Sequence, residues 1–273
     1  MNAPVPSSVL LEARAAHDTP APEGDLVAYV RQGQMPVSEL VQHAEQLQQS
    51  GHLQAASNLY ALWLAHHQDP RKHLIWFNHG SLLQQLGQLP QAQAAYEQAI
   101  ALSPGFAQAH INLGLVLEKQ GQSDQAITAW ARLTGQRYAH EPVAPDMLTT
   151  ALNHIGRLHE NNKNYRHALE ALEHSLQVNP KQTGVIQHWV HIRQKACEWP
   201  VYKPLPGISK NDMVMATSPL AMLALTEDPL MQLLSSHAFV ARTYGLKEEW
   251  LCKVKRYHHG KTRVGFVSGD LRE

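Results

Sequence analysis

The sequence predicts an all-α chain: a right-handed solenoid of four helix hairpins and a capping helix, followed by the incomplete start of an α/β lobe. Three observations carry this. Self-similarity with one fixed period runs through the first two thirds of the 273-residue chain. Small and bulky residues recur at constant offsets inside it. Glycine-centred turns divide most periods in two. Gly80 is followed by Ala92, Tyr96, Ala99 and Pro104. Gly114 stands one period on and repeats the first two offsets with Ala126 and Trp130. Gly156 repeats all four with Ala168, Leu172, Ser175 and Pro180, and Ala44 opens a weaker copy with Ala56, Tyr60 and Trp63.

Taken in order, residues 1–36 are rich in Pro, Ala and Ser and read as a mobile lead-in, with one short helix near Asp25–Gln32. Four repeats follow at about 37–70, 73–106, 107–140 and 149–182. Gly80, Gly114 and Gly156 fall inside the first helix of their repeats. A mid-helix Gly costs about 1 kcal/mol against Ala, and close helix contact is a reason to accept it. Ala92, Ala126 and Ala168 are the small partners in the second helix. Tyr96, Trp130 and Leu172 are expected to fill the groove towards the neighbouring hairpin. Gly51-His52, Gly87-Gln88 and Gly121-Gln122 supply the left-handed turn after a helix, with Lys163-Asn164 in the fourth repeat. Pro104 and Pro180 close their hairpins. Period and offsets together are the signature of tetratricopeptide repeats, whose hairpins must stack to bury their apolar faces.

The step from Gly114 to Gly156 is longer than the period, and the extra residues are assigned to a protruding loop near Gln136–Asp146. Thr183–Ala196 is expected to be the helix that covers the open end, completing a solenoid domain over 37–197. The period stops at Cys197. A Pro-rich connector, an apolar segment Thr217–Leu225 and a helix over Asp228–Tyr244 follow. Lys261–Asp270 has the pattern of a first strand and turn.

Net charge is zero with 23 basic and 23 acidic residues, so no basic surface points to nucleic acid. The 18 His would add positive charge only below about pH 6.5. Cys197 and Cys252 give no disulfide framework and no zinc spacing. The N-terminus lacks a signal-peptide pattern, and no apolar run has membrane-spanning length. These features fit a reducing, cytoplasmic setting. His66-His67 and His258-His259 lack metal-ligand spacing and read as exposed loop residues. Cys197 beside Trp199 reads as a buried junction.

Three segments then resemble one family. Residues 187–202 (QHWVHIRQKACEWPVY), 217–233 (TSPLAMLALTEDPLMQL) and 262–273 (TRVGFVSGDLRE) follow the repeats in order. They are similar to the bacterial SPINDLY-like branch of protein O-linked N-acetylglucosamine transferases, glycosyltransferase family 41. The resemblance implies an enzyme that transfers N-acetylglucosamine from UDP-GlcNAc to Ser or Thr of proteins without metal. It implies that residues 198–273 are a linker and the incomplete start of the N-terminal catalytic lobe. The family's strand motif runs on into an active-site His, and Glu273 stands just short of it. This chain by itself is therefore expected to lack catalytic residues, a cofactor and activity, and to serve in recognising acceptor polypeptides. A non-catalytic repeat scaffold is the alternative.

Two residues before each repeat Gly or Ala stands a polar side chain: Gln42, Asn78, Asn112 and His154. This offset places all four on the inner face of the first helices. The resemblance implies an Asn ladder there that holds an extended acceptor backbone, since an amide both donates and accepts. It also implies a strand-loop role for Ser268, Gly269 and Asp270.

Overall fold

The computed structural model describes residues 26–135 and 143–244. The short helix α1 (Leu26–Arg31) leads into eight helices that pair as α2 (Val37–Gln49) with α3 (Leu53–His66), α4 (Lys72–Gln85) with α5 (Leu89–Leu102), α6 (Ala107–Lys119) with α7 (Ser123–Ala131), and α8 (Pro145–Asn161) with α9 (Tyr165–Val178). Then come α10 (Thr183–Lys195), α11 (Lys210–Ala216), α12 (Pro219–Leu223) and α13 (Pro229–Tyr244). Each helix packs mainly on neighbours one or two places along the chain, as hairpins in a solenoid do.

The glycines sit where two helices cross. A Cβ on Gly80 would meet the Tyr96 ring at 2.9 Å, one on Gly114 would meet the Trp130 indole at 2.1 Å, and one on Gly156 would meet the Leu172 side chain at 2.6 Å. These bulky residues therefore fill the gap left by the Gly of their own hairpin. Two of them also reach the following hairpin, as expected: Tyr96 Oη meets Asn112 Nδ2 and the Trp130 indole stacks on His154. Trp130 Nε1 donates to the Ile111 carbonyl at 3.0 Å, and Trp63 Nε1 to the Met35 carbonyl at 2.9 Å, so two fully buried indoles keep a partner for their N–H.

The bond to Met35 also ties the lead-in down. Val30 and Met35 are buried with Tyr60 and Trp63 in one cluster, so the chain is packed from α1 onward and not mobile up to residue 36. Residues 1–25 and 136–142 lie outside the described residues. Pro145 and Asp146, expected in the inserted loop, instead open α8, with Pro in its first turn where it is tolerated. Part of the insertion is thus extra helix.

The turn between the helices repeats closely. Gly51, Gly87 and Gly121 have φ of 75–78°, and Lys163 stands at 61° in the fourth copy. The left-handed residue there is Lys163 and not Asn164. The next residue closes each turn with an N–H bond back into the first helix, from His52 to Leu47, Gln88 to Leu83, Gln122 to Leu117 and Asn164 to His159. A fifth copy exists. Cys197, one period after Lys163, has φ of 56°, and Glu198 N–H bonds the Arg193 carbonyl at 2.8 Å. So α10, the expected capping helix, packs on α9 as the first helix of a further period. Cys197 is exposed and not a buried junction, because the left-handed turn places it on the surface.

After this turn the repeat is not completed. Arg193 is only 6% exposed, and it donates to the carbonyls of Glu198, Pro200 and Val201. It thereby folds residues 198–201 back onto α10. A Ser209–Asp212 capping box starts α11. Asp228 accepts from Leu230 N–H at the start of α13, as the sequence pattern suggested. Leu220, Leu223, Leu230, Leu233, Leu234 and Tyr244 of α12 and α13 are exposed. Lys261–Asp270, with Ser268, Gly269 and Asp270, lies outside the described residues, as do Cys252 and His258-His259.

Candidate polypeptide-binding face

First helices of successive hairpins touch, α4 with α6 and α6 with α8, and so form the inner row of the stack. The four polar residues expected to line it share a register but not an environment. Gln42 on α2 is exposed, and Asn78 on α4 is half-buried. Neither amide has a hydrogen-bond partner among the described residues. Asn112 on α6 is 9% exposed, and its Nδ2 donates to Tyr96 Oη at 3.3 Å. The Asn112 amide is thus engaged within the fold, because the Tyr96 hydroxyl reaches across from the preceding hairpin. His154 on α8 stacks on the Trp130 indole with ring centres 5.0 Å apart. Burial, then the Arg157 charge, holds its imidazole below the usual range, against the opposing pull of Glu118.

Sequence reasoning missed a fifth member. His188 on α10 stands one full period after His154. The same offset would have found it had α10 been read as a repeat helix. His188 Nε2 bonds the Glu160 carboxylate, and Lys195 Nζ lies 3.6 Å from the same group. Burial pushes the Glu160 carboxyl up, and the His188 bond with the nearby positive charges more than reverses this. One hairpin earlier, Arg157 of α8 grips Glu118 of α6 through two bonds of 2.8 and 2.6 Å. The hydrogen bond from Arg157 leads the causes that hold the Glu118 carboxyl low. In both junctions the earlier helix gives the carboxylate and the later one the cation.

The inner face therefore changes along its length. Its first part offers uncommitted amides, and its second part is laced by ion pairs. An uncommitted amide row can pair with main-chain N–H and C=O groups of an extended chain. Two further His residues are structural. His67 is 7% exposed and stacks on Trp63 at 4.6 Å, and His66 is exposed but ends α3, so the reading of His66-His67 as exposed loop residues is corrected for both. His79 bonds Ser57 Oγ at 3.0 Å across the first two hairpins. Among the described residues no group of three or more His, Cys, Asp or Glu is placed to hold a metal ion. No described helix is long and apolar enough to cross a membrane.

Comparison with known proteins agrees with this geometry. Residues 77–142 and 149–182 each match a tetratricopeptide-repeat family model. No curated protein matches the chain. Among solved structures, Pseudomonas aeruginosa PilF superposes with a TM-score of 0.52 at 16% identity, covering 81% of this chain and 94% of its own. A tetratricopeptide repeat protein from Parabacteroides merdae gives 0.52 at 15% identity over 75% of this chain and 72% of its own. The MamA RS-1 double mutant gives 0.51 at 17% identity over 75% and 99%. Identities this low speak for the fold alone. Residues 77–142 and 149–182 are tetratricopeptide repeats, and the chain has the fold of a tetratricopeptide-repeat solenoid.

Proposed function

We propose that the inner face of the solenoid binds an extended polypeptide, with Asn78 as the principal main-chain contact. The observation that carries this reading is the half-buried Asn78 amide without a partner among the described residues, in register with exposed Gln42 on the row of first helices. Partial burial makes a lost hydrogen bond costly, and a polypeptide main chain supplies both a donor and an acceptor. Fluorescence anisotropy with unrelated neutral peptides tests it. Asn78→Ala should weaken all of them to a similar degree, and unchanged binding would remove the amide row from the account.

A finer reading is that this face selects acceptor proteins for a protein O-GlcNAc transferase, with UDP-GlcNAc as the donor of the whole enzyme. The resemblance of residues 187–202, 217–233 and 262–273 supports it. So does the exposed apolar side of α12 and α13, which overlaps the segment similar to the lead-in of a catalytic lobe. An exposed patch of several leucines is characteristic of a surface that meets more protein. The full coding sequence, expressed and assayed for N-acetylglucosamine transfer from UDP-GlcNAc to a Ser/Thr peptide, decides between this and a scaffold. Absence of transfer by a folded product would favour the scaffold.

A further inference from the structure

The inner face ends in a pocket. It has a volume of about 390 Å³, and its floor is α10, through Gly184, Gln187, His188 and His191. Gln187, His188 and His191 are the counterparts, one period on, of Asn153, His154 and Arg157. The pocket thus continues the proposed binding face into the fifth period. Thr217 and Ser218, with Ala221 of α12, rise over it as a wall. Gln194 Nε2 holds that wall by donating to the Ala221 carbonyl at 3.2 Å. Gly184 leaves the near side open, since a Cβ there would meet nothing within 4 Å.

The lining is rich in donors and contains no carboxylate. Arg242 of α13 donates to Gln187 Oε1 at 3.2 Å and to the Met215 carbonyl at 3.2 Å. One lone pair of the Gln187 oxygen is thereby used, and both of its amide N–H groups remain as donors. Ser218 Oγ accepts from Ala221 N–H at 3.4 Å, which leaves its hydroxyl proton to give. Thr217 already donates to the Met213 carbonyl, so it can only accept. Around the rim, Glu160 is matched by His188 and Lys195, while Arg242 has only neutral hydrogen-bond partners among the described residues. The local balance is cationic, and the Gln187 amide and the Ser218 hydroxyl offer free donors to the pocket.

We propose that this pocket accepts an acidic side chain, Asp or Glu, of the polypeptide lying along the inner face. The proposal rests on the polypeptide-binding reading and gives it a selectivity. Main-chain contacts at Asn78 hold any sequence, and the pocket favours one with a carboxylate at its far end. The shape suits this: a carboxylate is small, acceptor-only and best satisfied by several converging donors.

The test uses two rhodamine-labelled peptides, capped at both termini, that differ only in Glu against Gln. Anisotropy with the wild-type chain should show roughly tenfold tighter binding of the Glu peptide, the scale of a charge-assisted hydrogen bond, and the difference should shrink with added salt. His191→Glu places a carboxylate in the pocket at an exposed position. It should bring the two affinities together, chiefly by weakening the Glu peptide. Gln187→Ala should reduce the preference as well, with thermal melting as the control for folding. Equal binding of both peptides to the wild type overturns the proposal and leaves the polypeptide-binding reading intact. A preference that survives in both variants overturns it too. If neither peptide binds, both readings fall.

Discussion

The Trp130 indole occupies the space that a side chain on Gly114 would need: a Cβ there would stand 2.1 Å from Nε1 and 2.3 Å from Cε2. A ring held by a bond to the Ile111 carbonyl and packed on His154 has little room to withdraw.

Gly114→Ala should therefore destabilise the array although Ala is the better helix former. The propensity gain is about 1 kcal/mol, and overpacking costs ~1–3 kcal/mol. At Gly80 the approach is only 2.9 Å, so Gly80→Ala should be close to neutral. Gly114→Leu should open the stack outright. Thermal melting followed by circular dichroism gives the order, and a Gly80 variant less stable than the Gly114 one would contradict the packing described.

The two Asn residues should separate. Asn112→Ala removes a bond to Tyr96 and should lower stability by about 0.5–1.5 kcal/mol. Asn78→Ala should leave melting unchanged and weaken peptide binding several-fold. Urea titration beside anisotropy checks both, and equal behaviour of the two variants would deny the difference in environment.

Acid should loosen the first hairpins. Burial lowers the His79 pKa to about 4, against 6.5 for a free imidazole. Below pH 6.5 the unfolded chain binds the proton and the folded chain does not. Stability is therefore full above pH 6.5 and falls as the pH drops towards 4, by up to ~3 kcal/mol from this group. Burial also lowers His67, His110 and His154 and adds in the same direction. His79→Gln should flatten part of the pH dependence of the melting temperature between pH 7 and 4. An unaltered profile would show that this imidazole does not contribute.

Lys163→Gly should raise stability. A non-Gly residue in the left-handed region costs about 1–2 kcal/mol, and the flexibility of Gly returns roughly 0.5–1 kcal/mol of that. The net gain should lie between zero and about 1.5 kcal/mol. Urea titration measures it, and a drop on substitution would mean that the Lys163 side chain has a stabilising role of its own.

The Glu118–Arg157 pair should couple only weakly. Their side chains are 22% and 39% exposed, and pairs open to solvent are screened. A double-mutant cycle with Glu118→Gln and Arg157→Gln should give about 0.5–1 kcal/mol at low salt and less at high salt. A coupling of several kcal/mol would indicate a drier junction than the geometry shows.

Much of this molecule is readable in the sequence because repeat contacts are local. The spacing of Gly80, Ala92 and Tyr96 reports a crossing inside one hairpin, so it survives translation into structure. The offset that selects Gln42, Asn78, Asn112 and His154 fixes which way a residue faces. It says nothing of what the neighbouring hairpin brings to it, and Tyr96 and Trp130 decide that for Asn112 and His154. Cys197 hid the fifth period, since a Cys gives no sign of a left-handed turn. The wall of the pocket was illegible for a different reason: Thr217 and Ser218 meet α10 through a fold-back set by Arg193, a long side chain whose carbonyl partners no periodicity announces.

Contacts made mainly between neighbours along the chain also set how the molecule comes apart. Low sequence separation favours fast folding, and a hairpin can form before its neighbours do. The interior hairpins are flanked on both sides, whereas α1 leans mainly on α3. Under a pulling force or in mild denaturant, extension should begin at the terminal elements and travel inward, with the Gly114–Trp130 crossing among the last to part.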